Sequence, residues 1–460
     1  MNCYILKEKA VAVSHQVIDK LVLKEFWNGF CYGCSKLEVN KTDTLTFTVG
    51  NPKIPALDGN FTISVTNGGA CVIAKSQKEL IRGFLTLIDK IKLIYRDKKE
   101  IICIPCFKYT EKPTLKNRMI HYCVFPDTKL YEIQKFIRLC AALKYTHIVI
   151  EFWGMLKYDC LKELAWEHAF SKDEIRPLLA EARDLGLELI PMFNHWGHAT
   201  ASRLGHGKHV VLDQNPRLQH LFSDDGWVWS FTEERVKELL KAVRQELTEL
   251  FGEGEYFHIG CDEAYNFKLT ELSCDIVTDY LNELCDDLKN QGRRPIIWGD
   301  MLVAKRESFC KENNYTASCP NLEVEQKLLK NLSHDFVIAD WQYWVQKAPV
   351  ETGLIFKEAG FDTLLCPWDE MANARSIDAC CKTAEDYSLF GVMHTTWHTL
   401  TFGMPDVTKC GEYALGIKNE ENSHRYYGPR TAELLRKVYP AKGDYEKSGW
   451  APYEIGNITT

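Results

Sequence analysis

The chain has 460 residues, 45% of them hydrophobic and 26% charged, with a formal net charge of −7 at pH 7. That is enough for two domains, or for one large barrel with an attachment, around a sizeable core. Acids and bases are mixed along the chain with no basic stripe, which argues against a nucleic-acid partner, and no apolar run reaches the roughly 18 residues that would span a membrane.

The start, MNCYILKEKAVAVSHQVIDK, has no continuous apolar segment and no small-residue cleavage site, so no signal peptide is expected. Eighteen cysteines without such a signal point to free thiols in a reducing, cytoplasmic compartment. Two Cys-x-x-Cys spacings, Cys31/Cys34 and Cys103/Cys106, have the form of half zinc sites. The second lies in the apolar run EIICIPCF, where cysteine acts as a small hydrophobe, and buried thiols are the preferred reading. No metal is expected, and the sequence is compatible with an oligomer.

Residues 1–112 read as a small α+β domain. LTFTVG and NFTISVTNGGACVIAK alternate in β fashion, and Asn67-Gly68 between two such runs signals a hairpin. A helix then follows, with Ser76 as its N-cap and Leu80, Ile81, Phe84, Leu85, Leu87 and Ile88 on one broad face. TEKPTLKN is the exit linker.

From about residue 113 to 460 the pattern changes to short apolar strands alternating with amphipathic helices, ending in a tail. Eight strands are expected: MIHYCVF, HIVIEF, LELIPMFN, YFHIGCD, PIIWGDML, FVIADWQYW, DTLLCPW and GVMHTTW. Eight buried strand–helix alternations predict a (β/α)8 TIM barrel. An open doubly wound sheet is the alternative; no glycine-rich loop follows the first strand, which lowers the case for a nucleotide cofactor.

In such a barrel chemistry gathers at the C-terminal strand ends. These ends read Glu151-Phe152-Trp153, Asn194 to His198, Asp262-Glu263, Trp298-Gly299-Asp300, Asp340 to Trp344, Trp368-Asp369-Glu370 and Trp397-His398. Indoles stack on the C–H faces of sugar rings and carboxylates bind hydroxyls, so the rim suggests a carbohydrate site. With strand 4 running to about Asp262, His258, Gly260 and Asp262 share one face and Glu263 turns over the rim. Repulsion and burial would keep one acid of the pair protonated while the other stays ionised, as glycoside cleavage requires.

His258-Ile259-Gly260-Cys261-Asp262-Glu263 matches His-x-Gly-x-Asp-Glu, and on this motif the chain resembles glycoside hydrolase family 20, the β-N-acetylhexosaminidases. Arg118 before strand 1, Gly197-His198, the WQYW run, Trp298, Trp397 and Asp369 resemble other family positions, and the first domain is similar to the family's non-catalytic one. The resemblance implies an exo-acting, retaining enzyme without a cofactor, in which the substrate's own 2-acetamido oxygen attacks the anomeric carbon and forms an oxazolinium. It implies that Asp262 orients the acetamido group and that Glu263 is acid and then base. His198, with Glu151 as candidate partner and His258 as further support, would tune Glu263. Trp298, Trp341 or Trp344, and Trp397 would wall the methyl group, while Arg118 and Asp369 would bind the sugar. The chain departs from the family where Pro367-Trp368-Asp369 lacks a tyrosine, for which Tyr343 is the candidate stand-in, and where His398 stands in place of a glutamate. Terminal GlcNAc, GalNAc or a modified, for instance sulfated, hexosamine fits this reading. The competing functions are a non-catalytic sugar-binding barrel and a metal hydrolase built on His195, His198, His258 and Asp262.

Overall fold

The computed structural model describes every residue except 1, 7–8, 15, 40–44, 50–58, 97, 201–210, 369–375, 398–399, 419–422 and 441–460. Asp369 and His398 therefore lie outside the described residues.

The N-terminal part holds a mixed six-stranded sheet and an antiparallel three-stranded sheet. The hairpin forms where Asn67-Gly68 signals it, with Phe61–Thr66 paired to Gly69–Ala74 and Thr66 opposite Gly69. Helix Gln77–Ile88 packs its apolar face on the larger sheet, and the Ser76 side chain accepts from the Glu79 N–H as its cap. The two Cys-x-x-Cys pairs lie on different elements: Cys31 and Cys34 follow helix Leu21–Phe30, and Cys103 lies in strand Lys99–Pro105.

The rest is a closed barrel of eight parallel strands: β1 Asn117–Cys123, β2 His147–Glu151, β3 Glu188–Met192, β4 Tyr256–His258, β5 Arg294–Trp298, β6 Val337–Trp341, β7 Asp362–Cys366 and β8 Gly391–His394. Closure comes from β1 pairing with β8, Asn117 opposite Gly391 through Ile120 opposite His394. Burial on both faces explains the near-continuous apolar runs. Met119, Val149, Ile190, Ile296, Val337 and Met393 fill the interior, so the barrel is a packed core with its working surface at the rim. The strand expected to run to Asp262 stops at His258. Gly260 and Cys261 take φ of 66° and 76°, which no strand can hold, so Gly260 and Asp262 do not continue the face of His258.

Candidate active site

The approach of two loops sets the geometry. A Cβ on Gly260 would lie 1.9 Å from Asn194 Oδ1, and one on Gly197 would lie 1.9 Å from the Asp262 carbonyl. The chain after β3 thus lies directly on the chain after β4, and only glycine fits at both crossings. The same contact carries strain: His198, Cys261 and Glu263 are non-glycine residues at φ 54°, 76° and 51°. Each costs on the order of 1 kcal/mol or more, and such strain persists only where the surroundings over-determine it. Here they do. Trp227 Nε1 donates to the Glu263 carbonyl at 2.6 Å, the Glu263 N–H donates to Asp300 Oδ2 at 3.0 Å, and the Trp298 N–H donates to the Gly260 carbonyl at 3.0 Å.

The result places both carboxylates of the pair on one imidazole. His198 Nε2 lies 3.3 Å from Asp262 Oδ2 and 3.0 Å from Glu263 Oε2. A ring nitrogen shared between two acids offsets their mutual repulsion and fixes their spacing. The His198 ring is itself held, 4.3 Å from the Trp227 ring and 6.4 Å from that of Trp153. The other oxygen of Glu263, Oε1, accepts from the Tyr265 hydroxyl at 2.8 Å.

A third acid completes the cluster, and reasoning from the motif missed its role. Asp300, just past β5, is 1% exposed; its Oδ1 accepts from Trp341 Nε1 at 3.2 Å while Oδ2 holds the Glu263 N–H. Burial, then the charge of Asp262 and that of Glu263, pushes the Asp300 carboxyl up to about 7. The carboxyl whose titration is raised is thus Asp300, outside the adjacent pair for which the division was expected.

Glu151 at the end of β2 accepts from Asn194 Nδ2 at 2.6 Å and lies 3.2 Å from His121 Nε2. His121 was also missed. It sits mid-strand in β1, inward-facing with Met119, and its ring lies 5.9 Å from Trp298 and 4.9 Å from Trp397. His258 lies beneath Trp298 at 4.4 Å between ring centres, its Nδ1 accepting the Gly260 N–H.

The aromatic wall gathers Trp298, Trp341, Tyr343 and Trp397. Trp397 Nε1 donates to the Tyr343 hydroxyl at 3.0 Å, and the Trp341 and Tyr343 rings lie 5.0 Å apart. Of the two strand-6 indoles, Trp341 is the one inside; Trp344 is 51% exposed on the rim.

Side-chain direction corrects one expectation and counts against the competing metal-hydrolase reading. Arg118 does not reach the rim. It lies at the N-terminal end of β1 on the outward face, where its guanidinium donates to the carbonyls of Leu115 and Lys144 with Glu111 nearby. His195 does not join the other histidines as a metal ligand. Its Nδ1 bonds the Phe193 carbonyl at 2.6 Å, and its ring packs against Phe193 and Phe257.

Residues 153–402 match the model of the glycosyl hydrolase family 20 catalytic domain. The chain belongs to glycosyl hydrolase family 20. Over 192 residues, 38% of the chain, it is 29% identical to Hexosaminidase D of Bos taurus. That stretch covers 52% of the relative, about half its length. Among solved structures, the family-20 fold of Flavobacterium johnsoniae chitobiase superposes with a TM-score of 0.67 at 16% identity, over 96% of this chain and 72% of that one. An exo β-N-acetylglucosaminidase of Vibrio harveyi, solved with N-acetylglucosamine, gives 0.66 at 14% identity, over 95% and 75%. These likenesses establish the shared two-part fold.

Proposed function

We propose that this family-20 chain is an exo-acting, retaining β-N-acetylhexosaminidase that removes terminal β-linked GlcNAc or GalNAc from glycans by substrate-assisted catalysis. The observation that carries the reading is the sharing of one imidazole, held between Trp227 and Trp153, by two adjacent carboxylates. Glu263 protonates the glycosidic oxygen as its bond to the anomeric carbon breaks. The substrate's acetamido oxygen attacks the anomeric carbon from the face opposite the departing group and forms the oxazolinium. Asp262 stabilises the positive charge that develops at the acetamido nitrogen, an electrostatic contribution made chiefly in the transition state. Water then attacks the anomeric carbon on the vacated face, giving its proton to Glu263 as the bond to the acetamido oxygen breaks, and the two inverting displacements together retain configuration. Trp298, Trp341 and Trp397 wall the acetamido methyl, and the Tyr343 hydroxyl, which accepts from Trp397 Nε1, serves as the donor to the acetamido oxygen.

All cysteines are free thiols, which supports a reducing, cytoplasmic setting. A panel of aryl β-glycosides tests the function. Hydrolysis of the β-GlcNAc or β-GalNAc members, little turnover of the β-glucoside and strong inhibition by a thiazoline analogue are expected. Efficient cleavage of the plain β-glucoside, or a sugar ester trapped on a side chain, would overturn the mechanism.

A further inference from the structure

Both oxygens of Glu263 are engaged before any substrate arrives. Oε2 meets His198 at 3.0 Å and Oε1 accepts from the Tyr265 hydroxyl at 2.8 Å. The first chemical step needs a proton on Glu263 and an open path to the leaving oxygen. One of the two contacts has to give way.

Their surroundings decide which. The His198 side chain is 13% exposed, lies against Trp227 and Trp153, and also contacts Asp262. Tyr265 is 48% exposed and belongs to the same loop, two residues after Glu263, with its N–H bonded to the Glu263 carbonyl at 2.7 Å. The Tyr265 phenol is held well above its ordinary range by partial burial and by the Glu263 charge, so it stays a donor throughout the working range of the enzyme.

We propose that the Tyr265 hydroxyl is a displaceable plug on Oε1 of Glu263. It occupies that oxygen in the free enzyme, and the leaving-group oxygen of the substrate takes its place. The proposal deepens the general-acid role given to Glu263 and rests on it. In the free enzyme Tyr265 fixes the orientation of the carboxylate. On binding, its ring swings outward and lies alongside the departing group, so Tyr265 bears on the choice of aglycone as well as on the acid. The titratable groups that face Glu263 are His198 and Asp262 from the loops after β3 and β4, Asp300 from the end of β5, and Tyr265 itself.

Tyr265→Phe keeps the ring and removes the donor. The first readout needs no turnover: carboxyl NMR of protein labelled with 13C-glutamate, the Glu263 signal being assigned by its loss in Glu263→Gln. Loss of a donor to the charged form should move the Glu263 midpoint upward by about 0.5–1 pH unit relative to wild type. The basic limb of the kcat/KM profile on an aryl β-GlcNAc should move by the same amount. Coincident midpoints in wild type and Tyr265→Phe, or a downward movement, would overturn the plug. The two claims separate cleanly. If wild type cleaves no β-N-acetylhexosaminide, the proposed function fails while the titration still judges the Tyr265–Glu263 contact. If wild type is active and the midpoints coincide, only the plug fails. Tyr265→Leu, which also removes the ring, should raise KM for a disaccharide more than for an aryl glycoside, and equal changes would contradict the role at the aglycone.

Discussion

Asp300→Asn separates what the third carboxyl does for the fold from what it does for the site. The folded chain binds the Asp300 proton more tightly than the unfolded chain, because burial and the neighbouring acids raise the value from 3.8 to about 7. The stability this contributes is whole below about 3.8 and is lost as pH rises through about 7. A rise of roughly three units corresponds to about 4 kcal/mol of cost for the ionised carboxyl at pH 8. Asparagine avoids that cost, but its Nδ2 cannot accept, so either the Glu263 N–H or the Trp341 indole N–H loses its partner, at about 1–3 kcal/mol. The variant should therefore be the less stable protein at pH 4 and the more stable one, by about 1–3 kcal/mol, at pH 8. Urea midpoints of wild type and variant at pH 4, 6 and 8 measure this directly. A stability difference that does not change with pH would refute the reasoning, since it would mean that Asp300 titrates alike in both states. Because Glu263 loses part of its anchor, kcat should fall even where stability rises.

Asp262→Asn should lower kcat on aryl β-GlcNAc with little change in KM, because its charge is needed mainly when the oxazolinium forms; an effect confined to KM would contradict that role. Arg118→Met should cost stability on the order of 3 kcal/mol by freeing two buried carbonyls and removing the cation beside Glu111. Its KM should stay within about twofold of wild type, and a large rise in KM at unchanged stability would return Arg118 to the sugar site.

What could be read from the amino-acid sequence divides along physical lines. The eight strands were legible because a parallel sheet buried on both faces imposes short continuous apolar runs. The rim was legible because chemistry in this architecture sits at strand ends, which is where Asp262, Glu263, Trp298 and Trp397 were found. Arg118 was misplaced because the family resemblance was carried onto it without regard to parity: alternate residues of β1 face opposite ways, and Met119 and His121 take the inside. That alternation was the signal that could have found His121. The end of β4 was misjudged because left-handed residues at Cys261 and Glu263 leave no mark in composition; the crossing loops enforce them, and that contact is tertiary. Asp300 stood in view at the end of β5, but its hold on the Glu263 N–H and the Trp341 indole joins residues far apart in the chain, which no local pattern reports. The same holds for the division of labour between Trp341 inside and Trp344 on the rim.

The central claim is that Glu263 is the acid and base of a β-N-acetylhexosaminidase. It is tested most directly by comparing wild type with Glu263→Gln on a β-linked GlcNAc disaccharide, whose leaving group needs a proton, and on an aryl β-GlcNAc with an acidic phenol, which needs none. With thermal midpoints matched, the variant should lose roughly 10²–10⁴-fold in kcat on the disaccharide and far less in the bond-breaking step on the activated substrate. Near wild-type turnover of the disaccharide by Glu263→Gln, or equal losses on both substrates in that step, would contradict the account.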